Sequence, residues 1–187
     1  MEFFSLDIPE LKIVRPAIFQ DPRGFFLETY NRQALAAAGI SADFVQDNHS
    51  LSVDVGVVRG LHFQSPPAAQ DKLVRVVRGK ILDVAVDIRR GSPTFGRHVA
   101  VTLSSANRDQ IWVPKGFAHG FCTLEPNTEV FYKVTEYFSP QCDRGIAWDD
   151  PILAIDWGID PMSAVLSQKD RSHPKLADLP HYFEYAT

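Results

Sequence analysis

Along the middle of the chain, apolar and polar residues alternate with a period of two, the repeat of a strand with one buried face. Residues 81 to 88 read Ile-Leu-Asp-Val-Ala-Val-Asp-Ile and set Leu82, Val84, Val86 and Ile88 on one side. The β-branched run Leu73 to Val77 precedes it, and Arg78-Gly79-Lys80 between the two predicts a hairpin. Further strands are expected at Val99 to Leu103, Gln110 to Val113, Phe117 to Leu124 and Val130 to Tyr137, and upstream at Phe25 to Tyr30 and Val57 to Phe63. Turn residues part them at Ala106-Asn107, Pro114-Lys115-Gly116 and Pro126-Asn127. Many short strands at regular spacing predict an all-β sandwich or barrel rather than a parallel α/β sheet. One helix is expected early, with Asn31 as N-cap, an alanine-rich run from Arg32 to Ala38, and Gly39 as the stop. From Pro151 onward the tail reads as irregular, with short helical turns among Pro161, Pro174 and Pro180. No linker or repeat divides residues 1 to 187, which predicts a single domain.

Composition narrows the function classes. Apolar residues make up 45% and charged residues 22%, values ordinary for a globular protein. A net charge of −4 argues against general affinity for nucleic acid or an anionic membrane, so neither partner is expected. Met1-Glu2-Phe3-Phe4 lacks the basic start and apolar run of a signal peptide, and no stretch approaches the length of a membrane span. Cys122 and Cys142 form no disulfide framework, Cys122 reading as core and Cys142 as loop, and a reducing cytoplasm is the expected location.

The chemistry concentrates in Gly56-Val57-Val58-Arg59-Gly60-Leu61-His62-Phe63-Gln64, with Lys72, Gly79 and Pro114-Lys115-Gly116-Phe117-Ala118-His119. This spacing resembles that of metal-binding cupins, but Gln64 stands at the second histidine of the metal frame and Lys72 at its glutamate. Two histidines and an amide make a poor transition-metal site, and an ammonium among them repels a cation. No metal is expected; a pocket that exchanged a carboxylate for a lysine suits an anion such as an enolate. His62 and Gln64 share one strand face with Leu61 and Phe63 on the other, and Gln64 and Lys72 should point into the barrel mouth. Tyr132 shares a face with Val130, away from Phe131 and Lys133. In Ser167-Gln168-Lys169-Asp170 the carboxylate either caps a polar helix or orients a histidine and raises its basicity. Arg23, Glu28, Gln46, Asn48 and Arg59 form a second set: Arg23 reads as a surface turn and Gln46-Asp47-Asn48 as a loop, or the two arginines near an inward His62 clamp a diphosphate. Phe19, Phe26 and Phe138 are core or, where exposed, platforms for a base.

Several segments taken in order carry a more specific resemblance. They are Asp21-Pro22-Arg23-Gly24-Phe25-Phe26-Leu27-Glu28, Phe44-Val45-Gln46-Asp47-Asn48-His49-Ser50 and Arg59-Gly60-Leu61-His62-Phe63-Gln64. Lys72-Leu73-Val74-Arg75-Val76, Ser92-Pro93-Thr94-Phe95-Gly96, Pro114 to Phe121 and Tyr132-Lys133-Val134-Thr135 continue the series. Together, from about Asp21 to Asp170, they resemble the dTDP-4-dehydrorhamnose 3,5-epimerases of the rhamnose pathway. The resemblance implies a metal-free cupin jelly roll, a homodimer exchanging N-terminal segments, no cofactor, and a dTDP-linked 4-keto-6-deoxy sugar as substrate. It implies His62 as the proton-abstracting base, Asp170 as its orienting partner, Tyr132 as the acid on the opposite ring face, and Lys72 beside the developing enolate. It further implies substrate contacts from Arg23, Glu28, Gln46, Asp47, Asn48, Arg59, His119, Phe138, Asp143 and Lys169. Phe138 stands where the family often has a tyrosine that stacks on thymine, and Asp143 where a glutamate often contacts substrate. A relative epimerising a single carbon, and a catalytically silent sugar-nucleotide-binding cupin, remain as alternatives. His62, Lys72, Tyr132 and Asp170 retained together argue against the second.

Overall fold

A computed structural model describes residues 1–185. The strands are β1 (Glu2–Ser5), β2 (Lys12–Arg15), β3 (Ile18–Asp21), β4 (Gly24–Leu27), β5 (Gln46–Ser52), β6 (Val58–Gln64) and β7 (Lys72–Arg78). They continue with β8 (Lys80–Asp87), β9 (His98–Ser104), β10 (Gln110–Val113), β11 (Phe117–Thr123), β12 (Thr128–Val134) and β13 (Asp143–Gly145). The helix α1 spans Arg32–Ala37, capped by the Asn31 side chain accepting from the Ala34 amide at 3.1 Å. One antiparallel sheet runs β1-β2-β10-β7-β12-β5, the other β13-β6-β11-β8-β9, and β3-β4 forms a separate ribbon. The expected all-β jelly roll is present.

Apolar residues on both faces of both sheets explain this layering. Between the sheets lie Val74, Val76, Ile81, Ala85, Phe117, Phe121 and Val130. Outside the six-stranded sheet, Leu73 and Trp112 pack with Leu35 and Ile40 from α1 and its exit. The outer face of the five-stranded sheet, with Val84, Val86 and Ile88, packs beneath Leu153, Trp157, Leu176 and Leu179 of the tail. Fully burying a large apolar side chain contributes roughly 1.5–3 kcal/mol. Anchors on both sides of it therefore hold Asp170 in place. The tail itself carries only short 3-10 turns, including Asp170–Ser172, as its prolines predict.

Two expectations are corrected. The segment 78–80 is not a hairpin turn: β7 pairs with β10 and β12, whereas β8 pairs with β9 and β11 in the other sheet. Gly79, at φ +80°, is the corner where the chain changes sheets, and a Cβ there would lie 2.3 Å from Thr128 Oγ1. Gln46-Asp47-Asn48 is not loop but the start of β5, paired with β12 from Ser52↔Thr128 to Gln46↔Val134. Both faces of β5 are polar, so the alternation that marks the other strands is missing.

Candidate active site

The register of β6 against β11 builds one wall. His62 pairs with His119 and Arg59 with Phe121, and the register shifts between them. That irregularity lets Arg59 and His62 face the same cavity although an odd number of positions separates them. It depends on Gly60, at φ +149°, whose Cβ would lie 2.6 Å from Gly120 Cα. The opposite wall comes from the six-stranded sheet, where Tyr132 on β12 sits between Val74 on β7 and Asn48 on β5. A cavity of about 300 Å³ between them is lined by Arg59, His62, Lys72, His119, Tyr132, Lys169 and Asp170. It continues into a second space of about 210 Å³ that shares His62, Lys72, Tyr132 and Lys169 and adds Gln46, Asn48, Phe138 and Asp143.

His62 Nε2 hydrogen-bonds Asp170 Oδ1 at 2.5 Å, across a sequence separation of 108. With that N–H donated, the neutral ring carries its lone pair on Nδ1. Ser167 Oγ donates to Asp170 Oδ2 at 2.6 Å. Burial favours the neutral acid of Asp170, but the bonds from His62 and Ser167 outweigh it and hold the carboxyl below its ordinary range. Lys72 is buried, with Nζ donating to the His62 carbonyl at 3.3 Å. Burial pushes its ammonium down to about 8, against the pull of Asp83 and Asp143. Burial likewise raises the Tyr132 phenol, opposed by Arg59, so the hydroxyl keeps its proton. His119 Nε2 lies 2.9 Å from both carboxylate oxygens of Asp83. Lys169 pairs with Asp143 at the mouth, and Arg59 hydrogen-bonds Ser52 and the Leu51 carbonyl.

Three expected site residues lie elsewhere. Asp47 points to the outer face of β5 and pairs with Lys133 at 2.9 Å, because its neighbours Gln46 and Asn48 take the inner positions. Arg23 sits at the exposed tip of the β3-β4 ribbon, bound to Asp21, and Glu28 follows β4 in an exposed position. The diphosphate clamp of two arginines is therefore not formed within one chain. Gln64 does reach the second space, but its amide is spent on the backbone, donating to Ala68 and Tyr137 and accepting from Ser139. It fixes the loop that carries Phe138, which is 56% exposed.

Three further residues join the site without a sequence signal. Asp83 belongs to the aspartate-bearing face of β8, which reads as the wet face but points between the sheets. Ser167 is legible only as a turn residue. His173 packs against His62 with ring centroids 5.4 Å apart. The donor atoms of His62, Asp170 and His173 lie within 4.8 Å of one another, a set that suits a divalent ion by composition. Lys72, Lys169 and Arg59 line the same cavity and oppose a dication there. The electrostatics favour an anion.

The family model described as dTDP-4-dehydrorhamnose 3,5-epimerase matches residues 5–178. A dTDP-4-dehydrorhamnose 3,5-epimerase from Sinorhizobium fredii is 50% identical over 99% of this chain and 94% of its own length. The crystal structure of dTDP-6-deoxy-D-glucose-3,5-epimerase from Legionella pneumophila, in complex with dTDP-4-keto-L-rhamnose, superposes with a TM-score of 0.95 at 44% identity, covering 100% of this chain and 99% of that one. The Bacillus anthracis dTDP-4-dehydrorhamnose 3,5-epimerase, with TDP and pyrophosphate bound, gives a TM-score of 0.90 at 48% identity over 93% and 98%. This chain belongs to the dTDP-4-dehydrorhamnose 3,5-epimerase family.

Proposed function

We propose that the chain epimerises dTDP-4-dehydro-6-deoxy-D-glucose at C3 and C5, giving dTDP-4-dehydro-L-rhamnose through enolate intermediates. The observation that carries this reading is the placement of His62 and Tyr132 on opposite sheets across one cavity, with buried Lys72 beside them. The 4-keto group acidifies both neighbouring C–H bonds. His62 Nδ1 takes the proton, and Asp170 stabilises the imidazolium that forms. Lys72 donates to the enolate oxygen from a buried position, where a fixed charge acts more strongly than in water. Tyr132 returns a proton from the other face, and its raised phenol value keeps that proton available at neutral pH. The ketone is present from the start, so the chemistry calls for no redox cofactor. Arg59 and Lys169 flank the diphosphate, and Phe138 offers its exposed ring to the base. Ligands of this kind are bound by the Legionella and Bacillus relatives.

The functional unit in this reading is a homodimer in which the β3-β4 ribbon enters the partner subunit and supplies Arg23 and Glu28 to its cavity. Ile18, Phe19, Phe25 and Phe26 are exposed on that ribbon, an arrangement that a lone two-stranded hairpin does not sustain in water. Buried, unpaired Cys122 and Cys142 suit a reducing cytoplasm.

Proton exchange in D2O tests the mechanism. Wild type should wash deuterium into both C3 and C5 of the 4-keto sugar, followed by NMR. His62→Ala should lose exchange at both by roughly 10²–10⁴. Tyr132→Phe should still exchange at C5 yet fail to invert it. Near-normal exchange in His62→Ala overturns the assignment of the base, and exchange at one carbon alone in wild type identifies a monoepimerase.

A further inference from the structure

Gly145 on β13 pairs with His62 on β6, and its backbone lies outside the left-handed region that favours glycine. Conformation therefore does not require a glycine there; space does. A Cβ at this position would lie 2.5 Å from the His173 imidazole. The missing side chain is a slot, and the His173 ring fills it. From the slot the ring meets His62 edge-on, at an interplanar angle of 74°. Its Nε2 stands 3.8 Å from Asp170 Oδ1 and is buried without a hydrogen-bond partner among the described residues. Buried polar atoms are nearly always partnered, so this exception at a functional site has a reason.

We propose that His173 is a positioning residue, bracing the His62 imidazole from the Gly145 slot and offering Asp170 a third donor beside His62 and Ser167. The inference rests on His62 acting as the base. Asp170 Oδ1 has a second lone pair, and His173 Nε2, 3.8 Å away, is the donor beside it with no other partner among the described residues. With donors on three sides the carboxylate cannot swing, and the lone pair of His62 stays aimed at the substrate carbon. The groups facing the ring are His62 from β6, Asp143 from β13, and Lys169 and Asp170 from the tail. Burial first, and then His62, lower the ring's affinity for a proton. It remains neutral and adds no like charge when His62 becomes an imidazolium.

Paired variants separate positioning from mere filling. His173→Leu fills the slot without a donor, whereas His173→Gln keeps an N–H near the place of Nε2 and does not titrate. Folding of both is verified by circular dichroism and thermal midpoint. His173→Leu should lose roughly 10- to 100-fold in kcat with KM unchanged within about twofold, the range found when the outer partner of a metal-bound histidine is removed. His173→Gln should recover most of that loss. Folded His173→Leu with a wild-type kcat, or a Gln variant no better than Leu, overturns the positioning role. His62→Asn, measured in parallel, keeps the two readings apart: retained exchange there removes the base assignment itself, whatever His173 does.

Discussion

Lys72 meets two opposed demands. In the proposed mechanism its ammonium stands opposite an enolate, yet it lies at 9% exposure, and burial penalises the charged form. In the folded chain it titrates at about 8, and in the unfolded chain near the ordinary lysine value of about 10.4. Between these two values the unfolded chain holds a proton that the folded chain has released, so the Lys72 contribution to stability rises with pH across that window. Below pH 8 the burden of the buried charge is fully present. Activity runs the other way and should decline as pH rises above about 8, when the positive charge facing the enolate is lost. Lys72→Met keeps much of the stem's volume without the charge. It should stabilise the fold at pH 7 by roughly 1–3 kcal/mol and slow exchange by roughly 10²–10³. Urea midpoints and deuterium exchange measure the two effects; a less stable variant refutes the cost of the buried ammonium, and one exchanging at the wild-type rate removes Lys72 from the enolate. Opposite signs on stability and rate are what a functional buried charge predicts.

The bulge between β6 and β11 is the element on which the site depends. It brings Arg59 and His62 to one face, and it exists because Gly60 and Gly120 touch backbone to backbone. Gly60→Ala introduces a Cβ 2.6 Å from Gly120 Cα at a φ of +149°. Backbone strain alone should cost about 1–3 kcal/mol, and separating the strands adds to it. The variant should unfold at lower temperature and lose epimerisation by more than its unfolded fraction explains; wild-type kcat in the folded fraction would show that the bulge does not set the site. Such long-range geometry marks the limit of what the sequence tells. Strands with period-two alternation or a β-branched run were legible, as were the α1 cap, the His62 frame and the Asp170 motif. The strand β5 was not, because Gln46, Asn48 and Ser50 line a cavity while Asp47 and His49 face outward, leaving no alternation. Asp83 was hidden by the same alternation that revealed β8, since the face with aspartates points inward to His119. Gly79 looked like a hairpin turn because a corner between sheets uses the same residue for the same φ. His173 had no signal at all, because its slot is made by a glycine on a distant strand.

At the scale of the molecule, one chain does not bring all the expected site residues together. Arg23 and Glu28 lie in a segment that resembles the family's, yet the ribbon carries them away from the cavity that holds His62. The ribbon exposes Phe19 at 64%, Phe25 at 57% and Phe26 at 69%. On the edge strand β5 and the loop after it, Leu51, Val53 and Val55 are exposed as well. Apolar surface of this extent marks an interface, and a second copy of the chain supplies a partner with the same unmet surface. The wild-type protein should therefore run at twice the 21.0 kDa mass of the chain in light scattering. Replacing Phe19 and Phe26 by serine should shift it toward the monomer with loss of turnover. Complementation is the sharper experiment. In an exchanged dimer each cavity uses its own His62 and its partner's Arg23. His62→Ala and Arg23→Ala homodimers should each be inactive. Mixed by unfolding and refolding, they should form heterodimers in which one cavity combines an intact His62 with an intact Arg23 and the other has lost both. Activity must then reappear on mixing, in proportion to the heterodimer present. A mixture no more active than its parents would show that Arg23 does not complete a neighbour's site, and the exchange would be wrong.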